Sequence, residues 1–148
     1  FFGFDAIHGH RTIFPIPLAE AGAFDPGLWR RTARVAAEEA AADGLDLLFA
    51  PMLDVCRDPR WGRIAESPGE DPWLAARVAE ARIGAFQGDD LAATDAVAAC
   101  AKHLGGYGAV GAGREYASVD VSERTLHEVH LPAFATAVAR GVVSVMPS

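Results

Sequence analysis

Residues 97–103, Val97-Ala98-Ala99-Cys100-Ala101-Lys102-His103, decide how the chain is read. Small and branched apolar residues predict a buried strand from Val97 to Ala101, which runs directly into two titratable side chains. Burying Lys102 beside His103 is costly unless partners or a ligand compensate. The same pattern recurs along the chain. Phe1–Ile7 predicts a short apolar strand leading to Asp5, His8 and His10. Leu45–Ala50 predicts a second strand, followed by the charged stretch from Asp54 to Arg63, and Val142–Met146 predicts a fourth.

Helices fill the intervals. Asp25-Pro26 is a start signal, a capping carboxylate with proline at the first helical position, and the helix runs through Ala40 to end near Asp43-Gly44. Asp71-Pro72 repeats the signal for a helix carrying Leu74, Val78, Ala81 and Phe86 and ending near Gly88. A third helix starts near Ser122, with Asp120 read as its capping residue, a kink expected at Pro132, and an end at Gly141. Thr12–Pro17 reads as packing and chain direction. The alternation predicts parallel α/β structure with both sheet faces covered. A doubly wound sheet and about half of a (β/α)8 TIM-type barrel both fit. Polar residues follow each of the first three strands, and only in a barrel do all such ends converge on one site, so a partial barrel is preferred.

The 148 residues carry a net charge of −7, with 51% hydrophobic and 22% charged residues. The acidic balance and scattered basic residues argue against a nucleic-acid partner. No apolar run approaches the roughly 18 residues of a membrane span. Thirty alanines predict closely packed helices. Cys56 and Cys100 lack metal-ligand spacing and read as ordinary thiols, at least one buried beside a strand. No cofactor is implied: nucleotide-binding glycine patterns are missing, and His8-Gly9-His10 lacks a third metal ligand. The chain opens on Phe1 and stops at Ser148 just past a strand, so it is read as part of a longer protein.

The loop from Asp54 to Asp71 packs three Arg, three Asp, two Glu and a Trp. Its charges suit either a ligand's vicinal hydroxyls or a salt-bridge network that holds the loop shut, and Trp61 offers an apolar face for a sugar ring. Lys102 stands open to three readings: a structural ion pair, a cationic donor to ligand hydroxyls, or a Schiff-base nucleophile. His103 fits a second hydrogen-bond donor, and Asp5 an acceptor for adjacent hydroxyls.

Together, Asp5-Ala-Ile-His-Gly9, Arg57-Asp-Pro-Arg-Trp-Gly-Arg63 with Glu66 and Gly69-Glu-Asp-Pro72, Lys102-His103, and Ser122-Glu-Arg-Thr-Leu126 with Leu131-Pro-Ala-Phe134 resemble glycoside hydrolase family 3, in its order and spacing. The match spans essentially the whole chain and is nearest to bacterial periplasmic-type β-glucosidases, with Tyr107-Gly-Ala109 and Arg114-Glu-Tyr116 in support. The resemblance implies that residues 1–148 are a fragment of the N-terminal barrel domain, truncated at both ends, with a second domain in the same chain. It implies that Asp5, Arg63, Lys102 and His103 line a pocket for the non-reducing terminal sugar, while Arg57, Asp58 and Arg60 hold the loop. Leu104 departs from the Phe often found there. The implied activity is retaining hydrolysis of terminal β-D-glucosyl residues by the full-length protein, on a β-glucoside or oligosaccharide. The catalytic carboxylates are expected beyond Ser148, the fragment alone is expected to be inactive, and a periplasmic or secreted location is implied. The alternatives are a β-xylosidase of the same family, a Schiff-base lyase using Lys102, and a non-catalytic sugar-binding relative.

Overall fold

The computed structural model describes residues 1–148. Four parallel strands, β1 (Gly3–Phe4), β2 (Leu47–Leu48), β3 (Ala98–Leu104) and β4 (Ser144–Pro147), lie in the order β1-β2-β3-β4. Sequential order has no point at which the winding reverses, as a doubly wound sheet requires. The helices confirm this by their placement. Ala33, Ala36 and Ala40 of α2 (Pro26–Ala42), Ala75, Ile83 and Phe86 of α3 (Pro72–Gln87), and Phe134 and Ala137 of α5 (Pro132–Ala139) pack in one core with Leu48, Ala99 and Ala101 of the strands. Leu47, Ala98 and Cys100, which alternate with those residues, face the other side together with Phe49 and Met146. Helices therefore cover one face only, correcting the expectation of two covered faces. Four strands joined by three helical connections form part of a (β/α)8 barrel, with the uncovered face toward the barrel interior.

Strand lengths differ from the sequence reading. β1 and β2 are two residues each, because each forms only a short ladder; Met52 continues the pairing to β3 through a bridge to Lys102. Phe1, Phe2 and Phe4 of the expected apolar strand are exposed. β3 extends past Ala101 and includes Lys102 and His103. Both expected thiols, Cys56 and Cys100, are free and buried, the latter within β3.

The helix starts follow the sequence signals. Asp25 accepts hydrogen bonds from the backbone amides of Gly27 at 2.8 Å and Leu28 at 3.1 Å, and Asp71 from Leu74 at 2.9 Å, with Pro26 and Pro72 at the first helical positions. The third helix is divided. α4 (Glu123–Thr125) passes into a π-helical turn at Leu126–His130 before α5 begins at Pro132, which has no amide to continue the ladder. Its cap is Ser122, whose hydroxyl accepts from the Thr125 amide at 3.1 Å; Asp120 lies two residues too early.

One helix escaped the sequence reading. α1 (Pro17–Ala21) begins at the last residue of the segment read as packing and chain direction, and it carries Glu20 into the space between α2 and α3. There Glu20 pairs with Arg82 of α3, accepts from the Thr32 hydroxyl at 3.1 Å, and through its backbone carbonyl accepts from Trp29 Nε1 at 2.6 Å. Both charged side chains are buried, and burial pulls the Arg82 guanidinium below its ordinary pKa. Removing one member leaves an uncompensated buried charge, so Glu20→Ala is expected to destabilise the protein by about 3–5 kcal/mol. Chemical denaturation followed by tryptophan fluorescence checks this, and a change below about 1 kcal/mol would contradict it.

Candidate functional site

Side-chain alternation along β3 puts Lys102 on the same face as Ala98 and Cys100, toward the barrel interior, at the carboxyl end of the strand. Its Nζ donates to Asp5 Oδ1 at 2.6 Å. Lys102 is 3% exposed, whereas the Asp5 side chain is 56% exposed, so the pair has a buried base and an open head. Asp5 comes from the end of β1, so this contact ties the first strand's loop to the third strand. The Lys102–His103 peptide is cis.

His103 is buried and meets two groups from the loop after β2. Asp54 Oδ2 accepts both the His103 backbone amide and its Nδ1, each at 2.9 Å. On the opposite side of the ring, Arg63 Nη1 lies 3.4 Å from Nε2. Arg63 is held from behind by Glu66, whose two oxygens accept from Nε and Nη2 at 2.8 Å each, and this pairing raises the guanidinium pKa. The Arg63 guanidinium also sits 5.7 Å from the centre of the Tyr107 ring, which meets His103 edge-on at 5.2 Å. The structure thus gathers Asp5, Lys102, His103 and Arg63 at one end of the sheet. Lys102 and Glu66 also line a cleft with Ile7, Phe49, Ala50 and Met52.

Trp61 departs from expectation. It is 1% exposed and stacks edge-on against Tyr107 at 5.1 Å, so it presents no face to a ligand. Its Nε1 donates to Glu115 at 3.1 Å, and Glu115 also accepts from the Tyr107 hydroxyl. Glu115 thereby fastens the loop at 105–118 over the loop at 51–71. The two loops touch so closely that a Cβ on Gly108 would lie 2.3 Å from the Val55 carbonyl oxygen. Asp54 was not singled out from sequence, although a lone carboxylate within Met52-Leu53-Asp54-Val55-Cys56, all buried, is the signal that finds it.

Among the remaining charges of the loop, Asp58 and Arg60 are spent on each other. Asp58 accepts from Arg60 Nε at 2.9 Å, from Nη2 at 2.7 Å and from the Arg60 backbone amide at 3.0 Å. Arg57 reaches the Glu70 carbonyl at 3.4 Å. Histidines 8 and 10 are likewise engaged, with Phe14 O and Asp43, each at 2.8 Å. No group of three His, Cys, Asp or Glu side chains is gathered in a way that could hold a metal ion.

The family model described as the glycosyl hydrolase family 3 N terminal domain matches residues 1–148. The chain belongs to glycosyl hydrolase family 3. This family 3 domain is 43% identical to the periplasmic beta-glucosidase of Salmonella typhimurium over 146 residues, covering 99% of the chain and 19% of that protein. It is 42% identical to a beta-xylosidase of Formosa agariphila, covering 95% of the chain and 20% of that protein. Superposed on the crystal structure of beta-glucosidase from Listeria innocua in complex with glucose, it gives a TM-score of 0.98 at 47% identity, covering 99% of this chain and 21% of that one. The family 3 chain thus spans about a fifth of the length of the relatives it matches.

The Asp58–Arg60 pairing in this family 3 loop gives a pH expectation. Hydrogen bonds from Arg60 hold the Asp58 carboxyl at about 2, below its ordinary value. A depressed carboxyl contributes stability above its unfolded pKa and loses it as pH falls through the folded one, so the loop contact should persist until pH approaches 2. Carboxyl-detected NMR titration should find a midpoint for Asp58 near 2, returning toward the ordinary range in Arg60→Ala. An ordinary midpoint with Arg60 present would contradict the pairing.

Proposed function

We propose that residues 1–148 form the pocket for the terminal sugar of a β-glycosidase acting on β-D-glucosides with retention of configuration. The observation that carries the reading is the joining of Asp5–Lys102 and Arg63–His103 at the carboxyl ends of the strands. A sugar ring offers vicinal hydroxyls, each of which both donates and accepts. Asp5 spends Oδ1 on Lys102, leaving Oδ2 free of protein donors, so the carboxylate can accept from adjacent hydroxyls. Lys102 and Arg63 supply fixed cationic donors, and because both are tethered by carboxylates their geometry is set before a ligand arrives.

On this reading residues 1–148 are a portion of the family's barrel domain, and they bind rather than cleave. Retaining glycosidases hold a nucleophile and an acid/base about 5–5.5 Å apart. Among the carboxylates here, Asp54 is committed to His103, Asp58 to Arg60 and Glu66 to Arg63, and the family resemblance assigns the catalytic pair to other parts of the full-length protein. A Schiff-base role for Lys102 is the poorer fit. An ammonium held 2.6 Å from a carboxylate offers no lone pair to a carbonyl carbon. Both β-glucosidases and β-xylosidases stand among the relatives, and the glucoside reading follows the former.

Arg63→Ala and Lys102→Met, each made in the full-length chain, should lower kcat/KM on an aryl β-glucoside by about 10- to 150-fold, the equivalent of about 1.5–3 kcal/mol per charged hydrogen bond. The same assay on the β-xyloside should give the lower kcat/KM. Unchanged variants, or a protein that hydrolyses neither substrate, would overturn the proposal.

A further inference from the structure

We propose that Asp54 is a positioning residue that fixes His103 as a hydrogen-bond acceptor at Nε2, so that one ligand hydroxyl must donate to His103 while accepting from Arg63. The inference rests on the sugar-pocket reading. Two independent contacts impose it. A carboxylate only accepts, so the 2.9 Å contact between Asp54 Oδ2 and His103 Nδ1 places a hydrogen on Nδ1. A neutral imidazole carries one N–H, which leaves a lone pair on Nε2. On that side stands Arg63 Nη1, which can only donate, at 3.4 Å. Both ends of the ring specify the same tautomer.

The surroundings hold the ring to it. The Asp54 side chain is 1% exposed, and its backbone carbonyl accepts from the Ser67 hydroxyl at 2.7 Å. Oδ2 also accepts the His103 backbone amide at 2.9 Å, so the carboxylate is pinned to the strand it serves. Tyr107 closes the ring edge-on. Since Arg63 gives Nε and Nη2 to Glu66, Nη1 is the part of the guanidinium left to face a ligand. A hydroxyl that displaces the direct 3.4 Å contact between Nη1 and Nε2 satisfies both, accepting from the first and donating to the second. Fluorine in its place keeps the first bond and loses the second.

The test titrates glucose and the four glucoses monofluorinated at C2, C3, C4 or C6 into the full-length chain by calorimetry. Fluorine at hydroxyls that donate to Asp5 weakens binding whatever stands at position 54. One further fluorinated sugar should bind the wild type about tenfold more weakly than glucose, for the hydrogen bond lost to His103 and the lone pair left facing fluorine, and this penalty is the one that depends on Asp54. In Asp54→Ala the penalty should fall to about twofold, because Nδ1 loses its acceptor and Nε2 is free to carry the hydrogen. Asp54→Asn should restore the tenfold penalty, since the His103 backbone amide selects the amide oxygen for the Oδ2 position. A full penalty retained in Asp54→Ala, or none in the wild type, overturns the proposal. Should Asp54→Ala fail to fold, nitrogen-15 NMR of histidine-labelled wild type decides. The resonances lost in His103→Asn should belong to a protonated Nδ1 and a bare Nε2, and a protonated Nε2 refutes the assignment. If glucose does not bind the wild type, the pocket reading falls, while the NMR result still judges the tautomer.

Discussion

An apolar strand that ends in two adjacent polar side chains must supply each with a partner. The structure does so with two carboxylates from two different connections. Lys102 takes Asp5 from the end of β1, and His103 takes Asp54 from the loop after β2. Buried cations and ring nitrogens without such partners would cost several kcal/mol each, so these pairings constrain where β1, β2 and β3 can lie. A parallel sheet brings the carboxyl ends of all three to one edge, and the observed order places β2 between β1 and β3. The site therefore depends on these strands running parallel.

The opposite face of the sheet meets a different need. Alanines along α2 and α3, with Ala99 and Ala101 beneath them, let helices lie close on the strands and keep the apolar core thin. Glu20 and Arg82 then brace α1 against α3 behind that layer, where a polar pair survives because Thr32 adds a further bond to the carboxylate. Alternation along β3 separates the two jobs. Ala99 and Ala101 pack against helices, while Ala98, Cys100 and Lys102 look toward the interior. One strand thus carries fold on one face and chemistry on the other.

Much of this was legible in the residues. Aspartate followed by proline marked both long helices, and small apolar residues ahead of Lys102-His103 marked the strand that matters most. Asp5, Lys102 and His103 were legible as polar groups at strand ends, Arg63 was singled out by the family resemblance, and the structure brings the four together. What escaped were features decided by tertiary contact. α1 is only five residues, too short for periodicity, and is fixed by the burial of Glu20. Trp61 looked available because aromatic residues in charged loops often are, yet the loop at 105–118 covers it through Glu115. Asp120 resembled a cap, but Ser122 had the right distance to the free amide. Asp54 stayed hidden among the loop's other carboxylates, because only the fold shows which of them faces His103.

The central claim is that the Asp5–Lys102 and Arg63–His103 pairs form a sugar pocket, and a crystal structure of the full-length protein soaked with glucose tests it most directly. The account predicts a glucose ring at the carboxyl ends of the strands, with Asp5, Lys102, Arg63 and His103 each within about 3.2 Å of a hydroxyl oxygen. Glucose bound elsewhere, with these four side chains still bonded only to one another, would contradict it.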